Sequence, residues 1–354
     1  MVKGRLSKMK KLLFVLLILS ILLAGCGKKG PTPEETSDPI APTNTADANN
    51  NDAGDIEIEI PTDEVINNPS PLTGLEMENK YQPVAIMVEN FSAARPYSGI
   101  IDADIVYEAH NEGGLTRFLA IFQSKSPKIV GPVRSVRHYF MWMAEEWDAY
   151  LVHFGQSFIA AERFDKIKVK RLNGLYTDKP FWRDNSRKAP HNVYIDVNKV
   201  REKIDFEQSA KGFSFISENK RQGSSYKSIT IPYNTSTTLV EYKYDDTQKL
   251  NMRYINRKKD VEKETGKQLF AKNIIIQYAV HTILEPGAGY RDVALVGSGK
   301  AQYFMDGQWL EGTWERKAPE DRTIFYDQDK KEMEFLRGNS WIQIVQTDMK
   351  VSVN

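Results

Sequence analysis

The adjacent pair Gly113-Gly114, set between two apolar runs, restricts this chain more than any other feature. Ile105–Tyr107 on one side and Phe118–Phe122 on the other are short and rich in branched or aromatic residues, as strands are. Paired glycines reach backbone angles closed to other residues, so the stretch from Asn111 to Arg117 predicts a tight turn joining two strands. That hairpin would hold Glu112, Thr116 and Arg117 together at its end. After Pro127 a second polar knot, GPVRSVR at 131–137, brings Arg134 and Arg137 close behind.

Around this hairpin the patterning predicts an α+β fold. Val84–Val88 reads as a buried strand, and Arg95-Pro96-Tyr97-Ser98-Gly99 as a loop. From Ser135 to Trp147 the apolar positions Val136, Tyr139, Phe140, Met143, Ala144 and Trp147 fall at helical spacing. Ala149–Phe154 reads as a strand, Gly155 as a break, and Ser157–Phe164 as a helix capped by Ser157. These elements predict a mixed α/β N-terminal domain over 69–222. The polar stretch Lys211–Ser225 marks its boundary. Beyond it Ser228–Pro232, Leu239–Tyr244, Leu250–Ile255, Ala271–Val280, Asp292–Val296, Ala301–Met305 and Trp309–Trp314 all read as strands. In Leu250–Ile255 the residues Leu250, Met252 and Tyr254 share one face. Asp306-Gly307 tolerates the primed turn that matches strand twist, so a hairpin is expected there. A smaller, mostly antiparallel β domain over 226–354 follows.

The first 25 residues are expected to be a signal peptide. Lys3, Arg5, Lys8, Lys10 and Lys11 precede the apolar run Leu12–Leu23. That run is too short for a comfortable membrane span. It ends in Leu23-Ala24-Gly25-Cys26, which resembles a bacterial lipobox and implies cleavage before Cys26 with lipid on its sulfur. Cys26 is the only cysteine, so the mature chain has no thiol for a disulfide or a thiolate metal site. Residues 27–68 carry ten acidic residues against Lys28 and Lys29 and no aromatic residue. Such a composition predicts a disordered tether, spanning on the order of 35 Å as a flexible coil. Within it Ile56–Ile60 alternates as a short strand would. The mature chain has 43 Lys and Arg against 47 Asp and Glu, which gives no electrostatic reason to expect nucleic acid as a partner. From residue 69 onward the balance is 41 to 37, a slightly basic body compatible with anionic wall polymers.

Several ordered motifs carry a family resemblance. PLTG at 71–74, ARP at 94–96, ADIVYE at 103–108, EGGLTR at 112–117, GPVRS at 131–135 and PHN at 190–192 resemble the N-terminal domain of YerB-type lipoproteins. GSGKAQYFMDGQWLEGTWER at 297–316 and RGNSWIQIV at 337–345 are similar to the smaller C-terminal domain of that family. The resemblance implies a two-domain lipoprotein with no established biochemical activity. His110 and Asn111 stand where an apolar or variable residue is expected.

The residues themselves offer few catalytic signatures. None of the five histidines has a partner at the spacing of a preformed metal site, so neither metal nor cofactor is expected. His153 stands at the end of an apolar strand, either meeting a ligand or simply half-buried. His191, between Pro190 and Asn192 in a loop, is a functional candidate against a structural clamp. Arg95, Arg117, Arg134, Arg137 and Arg183 lie beside turns, and if they converged they would bind an anion. The alternative is internal struts, with Arg117 on Glu112 and Arg134 on Asp104 or Glu108. Ser135 and Ser157 lack a nucleophile-elbow sequence, and a carboxylate pair of Glu112 with Asp104 or Glu108 has no fixed separation. The aromatic residues Tyr107, Tyr139, Trp142, Trp147, Phe181 and Trp182 read as core and pocket wall.

Two functions are expected on these grounds. One is a non-enzymatic binding or adaptor module at the outer membrane face, acting in wall assembly through a wall polymer or a wall-synthesis protein. Its candidate contacts are Glu112, Arg117, Arg134, Arg137, His153, Arg183, His191 and Asn192. The other is a hydrolase or transferase of peptidoglycan using Glu112, His153 and His191, with Arg134 holding an anion.

Overall fold

The computed structural model describes residues 66–77, 80–177, 179–285 and 289–354. The predicted signal segment, Cys26, the acidic tether up to residue 65 and the Ile56–Ile60 alternation lie outside the described residues. Strands dominate, and no helix among the described residues is long and apolar enough to cross a membrane.

Five strands come from the first half: β1 (Val84–Glu89), β2 (Ile105–His110), β3 (Thr116–Phe122), β4 (Tyr150–His153) and β5 (Arg171–Asn173). They pair in the spatial order β2-β3-β1-β4-β5. The predicted hairpin is present: β2 and β3 are antiparallel, and Gly113 and Gly114 take φ of 67° and 72° at its turn. The other edge of β2 pairs in parallel with Ser340–Gln346, near the far end of the chain. Ser340–Gln346 pairs in parallel with Asn273–Ala279. Gly297–Met305, Gln308–Arg316 and Ile324–Tyr326 then add in antiparallel order. With Ser224–Ser225 on Gln308–Arg316, the result is one mixed sheet of eleven strands drawn from both halves of the sequence.

Both faces of this sheet are covered, which is why β1 reads as an unbroken apolar run rather than an alternating one. Ala85 and Met87 pack with Leu119, Ile121, Leu151 and the inner face of helix α1 (His138–Glu145). Val84, Ile86 and Val88 pack instead with Ile229, Ile231, Val240 and Tyr242. Those last residues belong to a second sheet of six strands, built on the antiparallel strands Ser228–Asn234, Thr238–Asp245 and Leu250–Ile255.

The same alternation sends Tyr107 and Ala109 of β2 to the helix side, and Glu108 and His110 toward the second sheet. Leu250, Met252 and Tyr254 do share a face, but the face toward the main sheet carries Asn251, Arg253 and Ile255. Arg253 is fully buried there because Glu108 is too: its Nη2 lies 3.0 Å from Glu108 Oε2, and its Nε donates to Asp260 at 2.9 Å. Trp341 flanks the guanidinium at 4.5 Å from its ring centroid.

Local chemistry explains the remaining elements. Helix α2 (Phe158–Arg163) begins where Ser157 Oγ accepts the Ala160 amide at 3.2 Å, as its cap was expected to do. Helix α3 (Val197–Arg201), capped by Asp196, carries no signal used above. Asp306 and Gly307 both take positive φ in the predicted hairpin turn.

One glycine is required by close approach. A Cβ on Gly312 would lie 2.0 Å from the Tyr326 carbonyl oxygen and 2.8 Å from the Tyr303 ring. Gly312→Ala is therefore expected to destabilise the fold by about 1–3 kcal/mol, measured by chemical denaturation. An unchanged midpoint would show that the Ile324–Tyr326 strand yields freely.

Candidate functional site

β1 and β4 run parallel, and at their carboxyl ends, on the helix side of the sheet, several charged side chains meet. Glu89, the last residue of β1, lies opposite Arg117 of β3 and is only 5% exposed. Its two oxygens take different partners: Oε1 lies 3.2 Å from Arg134 Nε, and Oε2 lies 2.8 Å from His191 Nδ1. Arg134 reaches it because the 131–137 segment runs along β1, with Glu89 N donating to Pro132 O and Arg134 N donating to Met87 O. The His191 ring stacks on Phe91, with centroids 5.5 Å apart.

Beside this group Arg137 grips Glu112 with two nitrogens, Nη2 donating to Oε2 at 2.7 Å. Arg117 lies buried beneath and donates to the Ser135 carbonyl. Burial pulls its pKa down to about 9, and the charges of Arg137 and Arg134 add to the fall, with Glu112 only partly offsetting them. For Glu112, burial pushes the carboxyl up. The hydrogen bond and charge of Arg137, with the charge of Arg117, outweigh this and hold it below the usual range.

The expected struts are therefore re-paired. Glu112 belongs to Arg137 rather than Arg117, because Glu112 sits in the turn beyond the strand end while Arg117 points onto the sheet beneath Ser135. Arg134 belongs to Glu89 rather than Asp104 or Glu108. Glu108 faces the other side of the sheet, toward Arg253, and Asp104 accepts the backbone amides of Gln123 and Ser124.

Other candidates stand apart from this group. His153 is fully buried, its Nδ1 lies 2.8 Å from the Gly155 carbonyl, and burial lowers its pKa to about 4. Arg183 donates to Asn192 Oδ1 at 2.8 Å, and Asn192 Nδ2 donates to the carbonyls of Asp184 and Arg187. That arrangement clamps the loop. Arg95 is spent on Asn90 and the Tyr97 hydroxyl. The structure thus gathers Glu112, Arg117, Arg134, Arg137 and His191, and leaves His153, Arg183 and Asn192 in local roles. Glu89, which joins His191 to the arginines, is missing from the sequence candidates. Its signal was a carboxylate closing an otherwise apolar strand. Among the described residues no group of three or more His, Cys, Asp or Glu could hold a metal ion.

The open surfaces lie elsewhere. Along β5, the outermost strand of its side of the sheet, runs a groove of about 880 Å³. Lys170, Arg171 and Lys203 line it with Phe164, Tyr176 and Phe206, and Asp205 is its one acid. Lys170 Nζ sits 3.5 Å over the Phe206 ring, and Arg171 Cζ sits 3.7 Å over Phe164. Tyr176 is 78% exposed at its mouth. A second hollow of about 540 Å³ beside Trp309 contains Arg221, which Asp327 and Glu334 already face.

Known proteins share this architecture. Residues 72–211 match the family "Protein of unknown function (DUF3048) N-terminal domain", and residues 229–342 match its C-terminal domain. A Bacillus subtilis (strain 168) protein described as "Putative lipoprotein YerB" is 36% identical over 287 residues, spanning 78% of this chain and 86% of that protein. The crystal structure of YerB protein from Bacillus subtilis aligns with a TM-score of 0.72 at 36% identity, over 80% of this chain and 99% of that one. With sequence and fold shared across both halves, the chain belongs to the YerB family of proteins built from DUF3048 N- and C-terminal domains.

Proposed function

We propose that this protein is a lipoprotein held through Cys26 at the extracytoplasmic face of the membrane, where it binds an anionic wall polymer without turning it over. The name of its Bacillus subtilis relative supports the lipid anchor. The groove along β5 carries the binding reading. Three cations and four aromatic side chains, Tyr150 among them, on a free sheet edge suit a chain that alternates sugar rings with negative groups. The groove is drawn from residues 150–206, within the α/β domain assigned to 69–222, and the β-rich part over 226–354 serves as scaffold. The arginines at the hairpin end act in this reading as internal struts, since Glu89 and Glu112 already engage Arg134 and Arg137.

The test is sedimentation of the full chain, in detergent, with purified wall sacculi before and after removal of their anionic polymers. Wild type is expected to pellet only with the untreated sacculi, and less at high salt. The double variant Lys170→Glu, Lys203→Glu should lose roughly tenfold or more in affinity. Equal pelleting of the variant, or of stripped sacculi, would sink the proposal.

One observation favours a second reading, a wall hydrolase or transferase. A buried carboxylate accepting from His191 Nδ1 at 2.8 Å fixes the tautomer that presents Nε2 as a base. His191 alone retains that role, because Glu112 is tied to Arg137 and His153 is enclosed. New muropeptide fragments that vanish in His191→Ala would establish it.

A further inference from the structure

Asn273–Ala279 continues into a two-stranded ribbon, His281–Glu285 paired with Tyr290–Val293, which crosses to the end of β2. A Cβ on Gly289 would lie 3.7 Å from the Gly113 amide nitrogen, so the ribbon abuts the glycine turn. Asp292 anchors it to α1 through His138 at 2.7 Å and to α2 through Arg163 at 3.7 Å, and Tyr290 packs edge-on against Phe158. In its register Ile283 faces Arg291 and His281 faces Val293, so His281 and Arg291 are diagonal neighbours on one face. The His281 ring meets His110 of β2 nearly at right angles, with centroids 5.6 Å apart.

These three side chains hold an unusual number of unmatched polar atoms. His110 is 4% exposed, and its Nε2 lies 3.0 Å from the Tyr233 carbonyl. Nε2 must therefore carry the proton and donate, which leaves Nδ1 as a bare acceptor, buried and without a partner among the described residues. Among the described residues no acceptor meets the buried Nε and Nη1 of Arg291, and neither ring nitrogen of His281 has a partner. Among the described residues Arg291 has no carboxylate within ion-pair distance, since Glu112 is committed to Arg137. Buried groups are rarely left so, and each costs desolvation unless something answers it.

What answers them must be specific in kind. Arg291 binds an anionic acceptor most strongly, while His110 Nδ1 takes a donor. His281 supplies one N–H and one lone pair, so it can serve either. A plain oxyanion satisfies the guanidinium and repels the imidazole lone pair. A phosphate group bearing a proton offers both at once. We propose that the ribbon and the end of β2 form a binding site for a protonated phosphate group, held by Arg291, His281 and His110. Burial keeps His110 neutral at pH 7, its pKa lowered to about 4, which preserves the lone pair the site depends on.

The experiment titrates the full chain in detergent with inorganic phosphate, glycerol 3-phosphate and sulfate, following heat release and the imidazole signals of His110 and His281. Inorganic phosphate or the monoester should bind and shift both histidines. Whichever binds more tightly separates a free ion from the phosphate end of a larger molecule. Sulfate, which carries no proton at neutral pH, should bind roughly tenfold more weakly or worse. Arg291→Gln should abolish binding, and His281→Phe provides a second variant if the first fails to fold. Equal binding of sulfate, no binding of either phosphate, or unaltered binding in both variants would overturn the proposal and assign the unmatched atoms to ordered water. The site is separate from the β5 groove, so Lys170→Glu, Lys203→Glu should leave phosphate binding unchanged.

Discussion

Arg253→Ala is expected to destabilise this protein by about 3–5 kcal/mol, the range seen when one partner is removed from a buried ion pair. Arg253 stands between the two sheets with no exposed surface, and it neutralises Glu108 at 3.0 Å and Asp260 at 2.9 Å. Its loss leaves two enclosed carboxylates without a cation and opens space between Phe118, Tyr242 and Trp341. Burial raises the pKa of Asp260 even beside Arg253, so in the variant protonation relieves the strain as pH falls. The deficit should be larger at pH 8 than at pH 5. Urea unfolding of wild type and variant at both values checks it. The double variant Glu108→Gln, Arg253→Met should regain part of the loss, because it removes charge from both sides of the pair. A deficit below about 1 kcal/mol at pH 8 would show that water reaches the carboxylates.

Acid should act on the wild-type protein through its enclosed imidazoles. Burial lowers the folded-state pKa of His110 and His153 to about 4 and of His281 to about 3, against about 6.5 in an unfolded chain. A depressed histidine binds its proton in the unfolded state first, so its stabilising effect is complete above about pH 6.5 and is lost as pH falls toward 4. Each unit is about 1.4 kcal/mol, so His153 alone should withdraw about 3 kcal/mol over that interval. Asp104 and Asp260, raised by burial, oppose the trend, because each adds stability as pH falls through its folded-state pKa toward the ordinary carboxylate range. Urea midpoints measured from pH 8 to pH 4.5 should fall steeply below 6.5. His153→Asn, which keeps a donor for the Gly155 carbonyl but cannot titrate, should flatten part of the slope. A flat wild-type profile would mean that these rings are open to water in solution.

The strands were legible because period and punctuation are local. Gly113-Gly114 announced its hairpin, Asp306-Gly307 announced another, and Ser157 announced its helix. Faces were legible too, but not which face a second sheet would cover. Leu250, Met252 and Tyr254 were legible as one face, and it is the opposite one, Asn251, Arg253 and Ile255, that meets the main sheet. Pairing partners were illegible for a different reason. That Arg137 rather than Arg117 takes Glu112, and that Arg134 takes Glu89, depends on the path of the 131–137 segment along β1. Nothing in residue spacing records that path. The β5 groove escaped notice because Phe164, Lys170, Tyr176, Lys203 and Phe206 are scattered over loops that converge only once the sheet has formed.

The position of Ser340–Gln346 has a consequence for how such a chain is made. A ribosome delivers β2 more than two hundred residues before the strand that sits between it and Asn273–Ala279. Until residue 346 emerges the sheet lacks its middle, and two strands with mostly apolar side chains each keep a row of unpaired backbone groups. A product released early from synthesis, or cut before residue 340, retains both open seams. It is an adhesive fragment rather than a smaller protein. Quality control of this protein therefore turns on the emergence of Ser340–Gln346, and a tag placed beyond that strand reports on completed assembly in a way that one placed before β1 does not.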